Sequence, residues 1–144
     1  MTRLLVDTSV LIKWFHEAGE SELPESRAIR DAHIRGDVNA HALDLAIYEL
    51  GNVLTSALRW AHAGVGDQLD DLLAIIGTPL TMAQDWLRDA AELAETHTLS
   101  FYDASWAATA AALGLSLVSA DRHLLAAGLA ETPSAVTARL KLAM

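Results

Sequence analysis

"LLVDTSVLIKW", residues 4–14, begins as an uninterrupted apolar run and stops on an aspartate. A strand exposed on one face alternates apolar and polar residues; a strand covered on both faces does not. Residues 3–7 are therefore expected as a buried strand of a parallel sheet. Thr8 and Ser9 follow, and a first helix is predicted over Val10 to Glu17. Asp7 stands at the carboxyl end of the strand, where an acid either caps the next helix or takes part in chemistry.

The rest of the chain repeats this alternation of apolar runs and helical patterns. "ESELPESRAIRDAHIRG", residues 20–36, predicts a second helix with Pro24 near its first turn and Gly36 just past its end. "DVNAHAL" is a weaker short strand and turn. Leu43, Ile47, Leu50, Leu54 and Leu58 recur at steps of three and four, so Asp44 to Ala63 is expected as the longest helix. "HAGVGD" is expected to break it, with a short helix over Gln68 to Ile76 ended by "GTP". Further helices are predicted over Met82 to His97 and Tyr102 to Leu113, the latter stopped by Gly114. "LSLVSAD", residues 115–121, is the second clear strand, and it too ends on an aspartate. Arg122 to Ala127 predicts a short helix closed by Gly128, and the tail after Pro133 stays open. Strands separated by helices imply an α/β fold with a parallel central sheet flanked by helices on both faces. Ligands of such sheets sit beyond the carboxyl ends of the strands.

The 144 residues suit one domain, expected to span 1–144. The chain is 52% hydrophobic, enough for a substantial core. No run approaches the ~18 apolar residues of a membrane span. No secretory signal is apparent, so a cytoplasmic protein is expected. There are no cysteines, which excludes disulfides and thiolate metal sites. Nineteen acids against ten bases give a net charge of -9, which argues against broad electrostatic binding to nucleic acid. It leaves room for an enzyme that meets phosphate through bound metal ions.

Four acids stand out. Asp7 and Asp121 each end an apolar strand. Glu49 lies within an apolar-rich helix, and Asp103 lies near the start of an alanine-rich one. Each has an ordinary structural reading as a cap or a solvated side chain. Gathered in one cleft, however, they would repel one another and demand a cation. Mg²⁺ or Mn²⁺ meets that demand with hard oxygen ligands.

These residues carry a resemblance. "LLVDTSVLIKWF", "YELGNVL", "LSFYDASWAATAAALGLSLVSAD" and "RHLL" stand in the order found in PIN-domain ribonucleases, and the chain most resembles VapC-type toxins of type II toxin–antitoxin systems. The likeness spans residues 3–125. It implies an acidic metal site of Asp7, Glu49, Asp103 and Asp121, with Ser9 and Ser119 orienting carboxylates or waters and Asn52 either steadying Glu49 or approaching the scissile phosphate. Thr8 is read as structural. The implied reaction is Mg²⁺-dependent endonucleolytic hydrolysis of RNA, with Mn²⁺ as a possible substitute, leaving a 5′-phosphate and a 3′-hydroxyl. The implied partners are a second copy of the chain and a small VapB-like antitoxin. The antitoxin's apolar helix would lie between the first two helices and the long one, and its arginine would reach the carboxylates.

Other residues invite attention. The six histidines (His16, His33, His41, His62, His97 and His123) lack metal-ligand spacing and are expected at the surface or at caps. Trp60, Trp86 and Trp106 fall in apolar helical patterns and are expected in the core or an interface. Trp14, beside Lys13 and just after the first acid, is the best candidate of the four for substrate or partner contact. Arg122 is expected as an exposed helix residue. Two rival functions remain. "LLVDTS" superficially resembles the nucleophile strand of haloacid-dehalogenase-type phosphatases, but Ser9 occupies the position of their second aspartate. A PIN-like partner-binding module without turnover is the other.

Overall fold

The structure, a computed structural model, describes residues 1–17 and 21–144. Three strands form one parallel sheet in the order β2–β1–β3. The central strand β1 (Thr2–Val6) carries Leu4, Leu5 and Val6, all fully buried, as its unbroken apolar run requires. β2 (Val38–His41) pairs with one edge of β1, and β3 (Ser116–Val118) with the other. The chain passes from β1 to β2 on one side and later returns to β3 on the opposite side. The order therefore reverses at β1, opening a crevice at the carboxyl ends of β1 and β3.

The first helical segment starts earlier and is tighter than expected. Helix α1 (Thr8–Leu11) begins directly after Asp7 and passes into a 3₁₀ turn over Ile12–Trp14. Two arginines of α2 (Leu23–Arg35) hold that turn, Arg27 donating to the Lys13 carbonyl and Arg30 to that of Trp14. Trp14 is only 1% exposed and Lys13 6%, so the expected role in substrate contact is corrected: Trp14 is a core residue. In α2, Pro24 occupies the first turn, and Gly36 ends the helix at φ 85°, a conformation that glycine adopts without strain. Glu20, the start of the predicted second helical stretch, lies outside the described residues.

The predicted long helix is two helices. α3 (Leu45–Asn52) widens into a π turn over Val53–Ala57. There Leu58 N–H reaches the Val53 carbonyl and Trp60 N–H the Leu54 carbonyl, and Arg59 adopts φ 56°. The chain turns, and α4 (His62–Ile76) begins within the "HAGVGD" expected to be a break. Gly64 and Gly66 each cost that helix ~1 kcal/mol relative to alanine. Leu72 and Ile76 are buried, and Val65, Leu69 and Ile75 pack against the same core, which outweighs the local preference.

α5 (Gln84–His97) and α6 (Phe101–Leu113) pack through small side chains, with Ala90, Ala104 and Ala108 forming a satellite cluster. Ser100 caps α6 by accepting the Asp103 N–H at 3.0 Å. After β3 come α7 (Arg122–Ala126) and α8 (Pro133–Leu140). The open tail is thus a helix. Glu131 makes one isolated parallel bridge with Val118, and Val136 is fully buried in the main core. No helix among the described residues is long and apolar enough to cross a membrane.

Candidate acidic site

Asp7, Glu49, Asp103 and Asp121 line one cavity of about 240 Å³ with Thr8, Ser9, Ile12, Val53 and Trp106. No lysine or arginine is among these lining residues. The cavity lies where the sheet order reverses. Asp7 enters from the end of β1 and Asp121 from the loop after β3, while α3 and α6 bring Glu49 and Asp103.

Asp7 occupies the position before α1, and two serine hydroxyls are the close partners of its carboxylate. Its Oδ1 accepts from Ser9 Oγ at 2.5 Å and its Oδ2 from Ser119 Oγ at 2.5 Å. Each serine also accepts a backbone N–H at 2.9 Å, Ser9 from Ala120 and Ser119 from Asp121. The hydroxyls thus connect the turn after β3 to the carboxylate after β1. Asp7 is 4% exposed, and burial raises its pKa from 3.8 to about 6. The serine bonds work against that rise, and the charge of Asp121 adds to it.

Glu49 is held differently. Thr8 Oγ1 donates to its Oε1 at 2.8 Å, and Trp106 Nε1 donates to the same oxygen at 3.2 Å. Burial raises its pKa; these two bonds oppose the rise and nearby Asp103 adds to it. Asp103 is also shifted upward, first by burial and then by Asp121, with Ser100 and His123 opposing. Asp121 caps α7 with Oδ1, accepting the N–H groups of His123 at 2.8 Å and Leu124 at 3.3 Å. A structural cap and a cavity-lining acid are here the same residue.

Asn52 is exposed and makes no hydrogen bond to Glu49. It accepts from Ser56 Oγ at 3.0 Å and lines an adjoining groove with Tyr48 and Tyr102. Sequence reasoning undervalued three other residues. Thr8 and Trp106 supply the donors that hold Glu49. Trp106 lies one helical turn after Asp103, a spacing that places both on one face. His123 lies in the first turn of the helix capped by Asp121, and its Nδ1 stands 3.6 Å from Asp121 Oδ1.

Carboxylates whose pKa values are raised by burial and by one another, with no basic side chain lining the cavity, suit a hard divalent cation. Donor atoms of Asp103, Asp121 and His123 lie within 4.8 Å of one another. Mg²⁺ or Mn²⁺ fits such a set, the carboxylates supplying its preferred oxygens.

Comparison with known proteins agrees with this architecture. The family model for the PIN domain matches residues 4–129. Ribonuclease VapC3 of Pyrobaculum aerophilum is 31% identical over 131 residues, covering 85% of this chain and 92% of the relative. Exonuclease VapC9 of the same organism is 34% identical over 84 residues, covering 58% of this chain and 63% of the relative. The crystal structure of PAE2754 from Pyrobaculum aerophilum is similar with a TM-score of 0.68 and 28% identity, covering 97% of both chains.

Proposed function

The chain belongs to the PIN-domain family, and we propose that it is a divalent-metal-dependent endoribonuclease acting as the toxin of a VapC-type toxin–antitoxin pair. The observation that carries this reading is the convergence of four acids from separate elements on one cavity lined by no basic side chain. The proposed domain runs from 1 to 144, because Val136 of α8 is buried in the same core beyond the family match.

Asp7, Glu49, Asp103 and Asp121 would hold Mg²⁺ or Mn²⁺. A divalent cation there would supply charge to the phosphate oxygens and acidify a bound water. The chain's own residues set the positions of the ligands. Ser9 and Ser119 fix both oxygens of Asp7. Thr8 and Trp106 engage one oxygen of Glu49, leaving its rotation about that anchored oxygen restricted. The cap of α7 orients Asp121. Asn52, which lines the adjoining groove, would meet the RNA strand rather than hold Glu49. Circular single-stranded RNA separates endonuclease from exonuclease action. Linear products bearing 5′-phosphates should appear with Mg²⁺, disappear with EDTA and return with excess Mn²⁺. Intact circles under all conditions, alongside degraded linear RNA, would assign exonuclease action.

The partners follow from two surfaces. The acidic cavity is complementary to an arginine from a small VapB-like antitoxin, and both proteins would meet in the cytoplasm. A second surface is apolar and exposed. Tyr48 of α3, Leu87 of α5, and Phe101 and Tyr102 of α6 are exposed around a shared groove. Contiguous aromatic surface of this kind suits association with a second copy. Leu87→Arg, 40% exposed and outside the core, should convert a dimer to a monomer in analytical ultracentrifugation while leaving the far-ultraviolet circular dichroism of the folded chain unchanged. An unchanged dimer would place the interface on another face.

A further inference from the structure

Resting on the metal-dependent reading, we propose that the His123 imidazole is a direct nitrogen ligand that makes this site favour Mn²⁺ over Mg²⁺. The four acids alone would form an all-oxygen site. Yet among the described residues, the set whose ligand atoms, one from each residue, lie within 4.8 Å of one another is Asp103, Asp121 and His123. Around a six-coordinate ion with bonds of about 2.1 Å, ligand atoms stand about 3 to 4 Å apart. His123 Nδ1 lies 3.6 Å from Asp121 Oδ1, too long for a hydrogen bond but suited to two ligands of one ion.

The backbone explains how the imidazole reaches that position. Asp121 Oδ1 accepts the His123 N–H at 2.8 Å, which ties the first turn of α7 to the carboxylate. The side chain is 66% exposed, so it is not committed to the core and can turn toward an ion from the solvent side. Asp7 and Glu49, by contrast, are already held by hydroxyl and indole donors. Imidazole nitrogen suits first-row transition metals, whereas Mg²⁺ strongly prefers oxygen. One histidine added to the carboxylates therefore shifts preference without excluding Mg²⁺.

His123→Ala is a clean test because it keeps the backbone N–H that completes the α7 cap. Calorimetric titration of the metal-free full chain with MnCl₂ should show affinity falling about tenfold or more. The same variant titrated with MgCl₂ should change by less than about twofold. Electron spin-echo modulation from ¹⁴N should be present in the Mn²⁺-loaded parent and absent from the variant. Missing nitrogen modulation in the parent overturns direct ligation, as do equal losses for the two ions, which would mean His123 acts only by orienting Asp121. Asp121→Asn should weaken both ions in either background. A parent chain that binds neither ion overturns the metal-dependent reading as well.

Discussion

Asp7→Asn should lower RNA cleavage by about 10³-fold or more, the several kcal/mol expected of a misplaced metal, while making the metal-free protein more stable above pH 6. These opposite signs follow from one fact. Asp7 is buried, and its pKa rises from 3.8 to about 6 on folding. The folded state therefore binds this proton more tightly than the unfolded chain does. The stability linked to it is fully present below pH 3.8 and is lost as pH rises through about 6. A shift of that size corresponds to a charge burden of about 3 kcal/mol at pH 8. Asparagine removes the charge and keeps the shape. Its amide can still meet Ser9 and Ser119, whose hydroxyls both donate and accept. Thermal melts without metal should find the variant a few degrees more stable at pH 8, with the difference about halved at pH 5 and gone below pH 3.8. Added Mg²⁺ should raise the melting temperature of the parent and barely move the variant. A variant that unfolds at both pH values would make Asp7 a structural residue first.

That trade between stability and a charged site explains why some features were readable in the sequence and others were not. β1 was legible because burial on both faces writes itself as a continuous apolar run, and α2 because Pro24 and Gly36 punctuate it. The strand-end positions of Asp7 and Asp121 followed from the same pattern. The π turn after Asn52 was not legible. Its residues keep the three-and-four spacing of an ordinary helix, and only the hydrogen bonds from Leu58 and Trp60 reveal the extra width. Gly64 and Gly66 misled for a related reason. Local preference argues for a break, but the packing of Leu69, Leu72 and Ile76 is decided by distant elements. Trp14 looked like a contact residue because it follows the first acid. The arginines of α2 that fold its turn inward sit 13 or more residues away. His123 carried no recognisable metal spacing, since its proximity to Asp103 depends on α6 packing against β3 rather than on neighbours in sequence.

Trp106 presents the same ambiguity in its sharpest form, because one side chain serves the core and the site. It is 2% exposed, so Trp106→Ala should destabilise the fold by about 3–5 kcal/mol through the cavity it leaves. That result alone would say nothing about chemistry. Trp106→Phe separates the roles, since it retains most of the ring and deletes the Nε1–H that reaches Glu49 at 3.2 Å. Glu49 would then rely on Thr8 among its two side-chain donors. The indole bond lowers the Glu49 pKa, so its loss should raise that pKa further and move the acid limb of the pH–rate profile to higher pH. Metal affinity should fall about 10-fold or more, as it does when groups orienting a ligand are removed. Cleavage should accordingly drop at limiting Mg²⁺ and recover when Mg²⁺ is in excess, whereas a packing defect would not respond to the ion. Unchanged metal affinity and pH profile in a folded Trp106→Phe protein would confine the indole to the core. Recovery with Mg²⁺ would instead show that the alanine-rich α6 was built around two demands, close packing against α5 on one side and a fixed carboxylate across the cavity on the other.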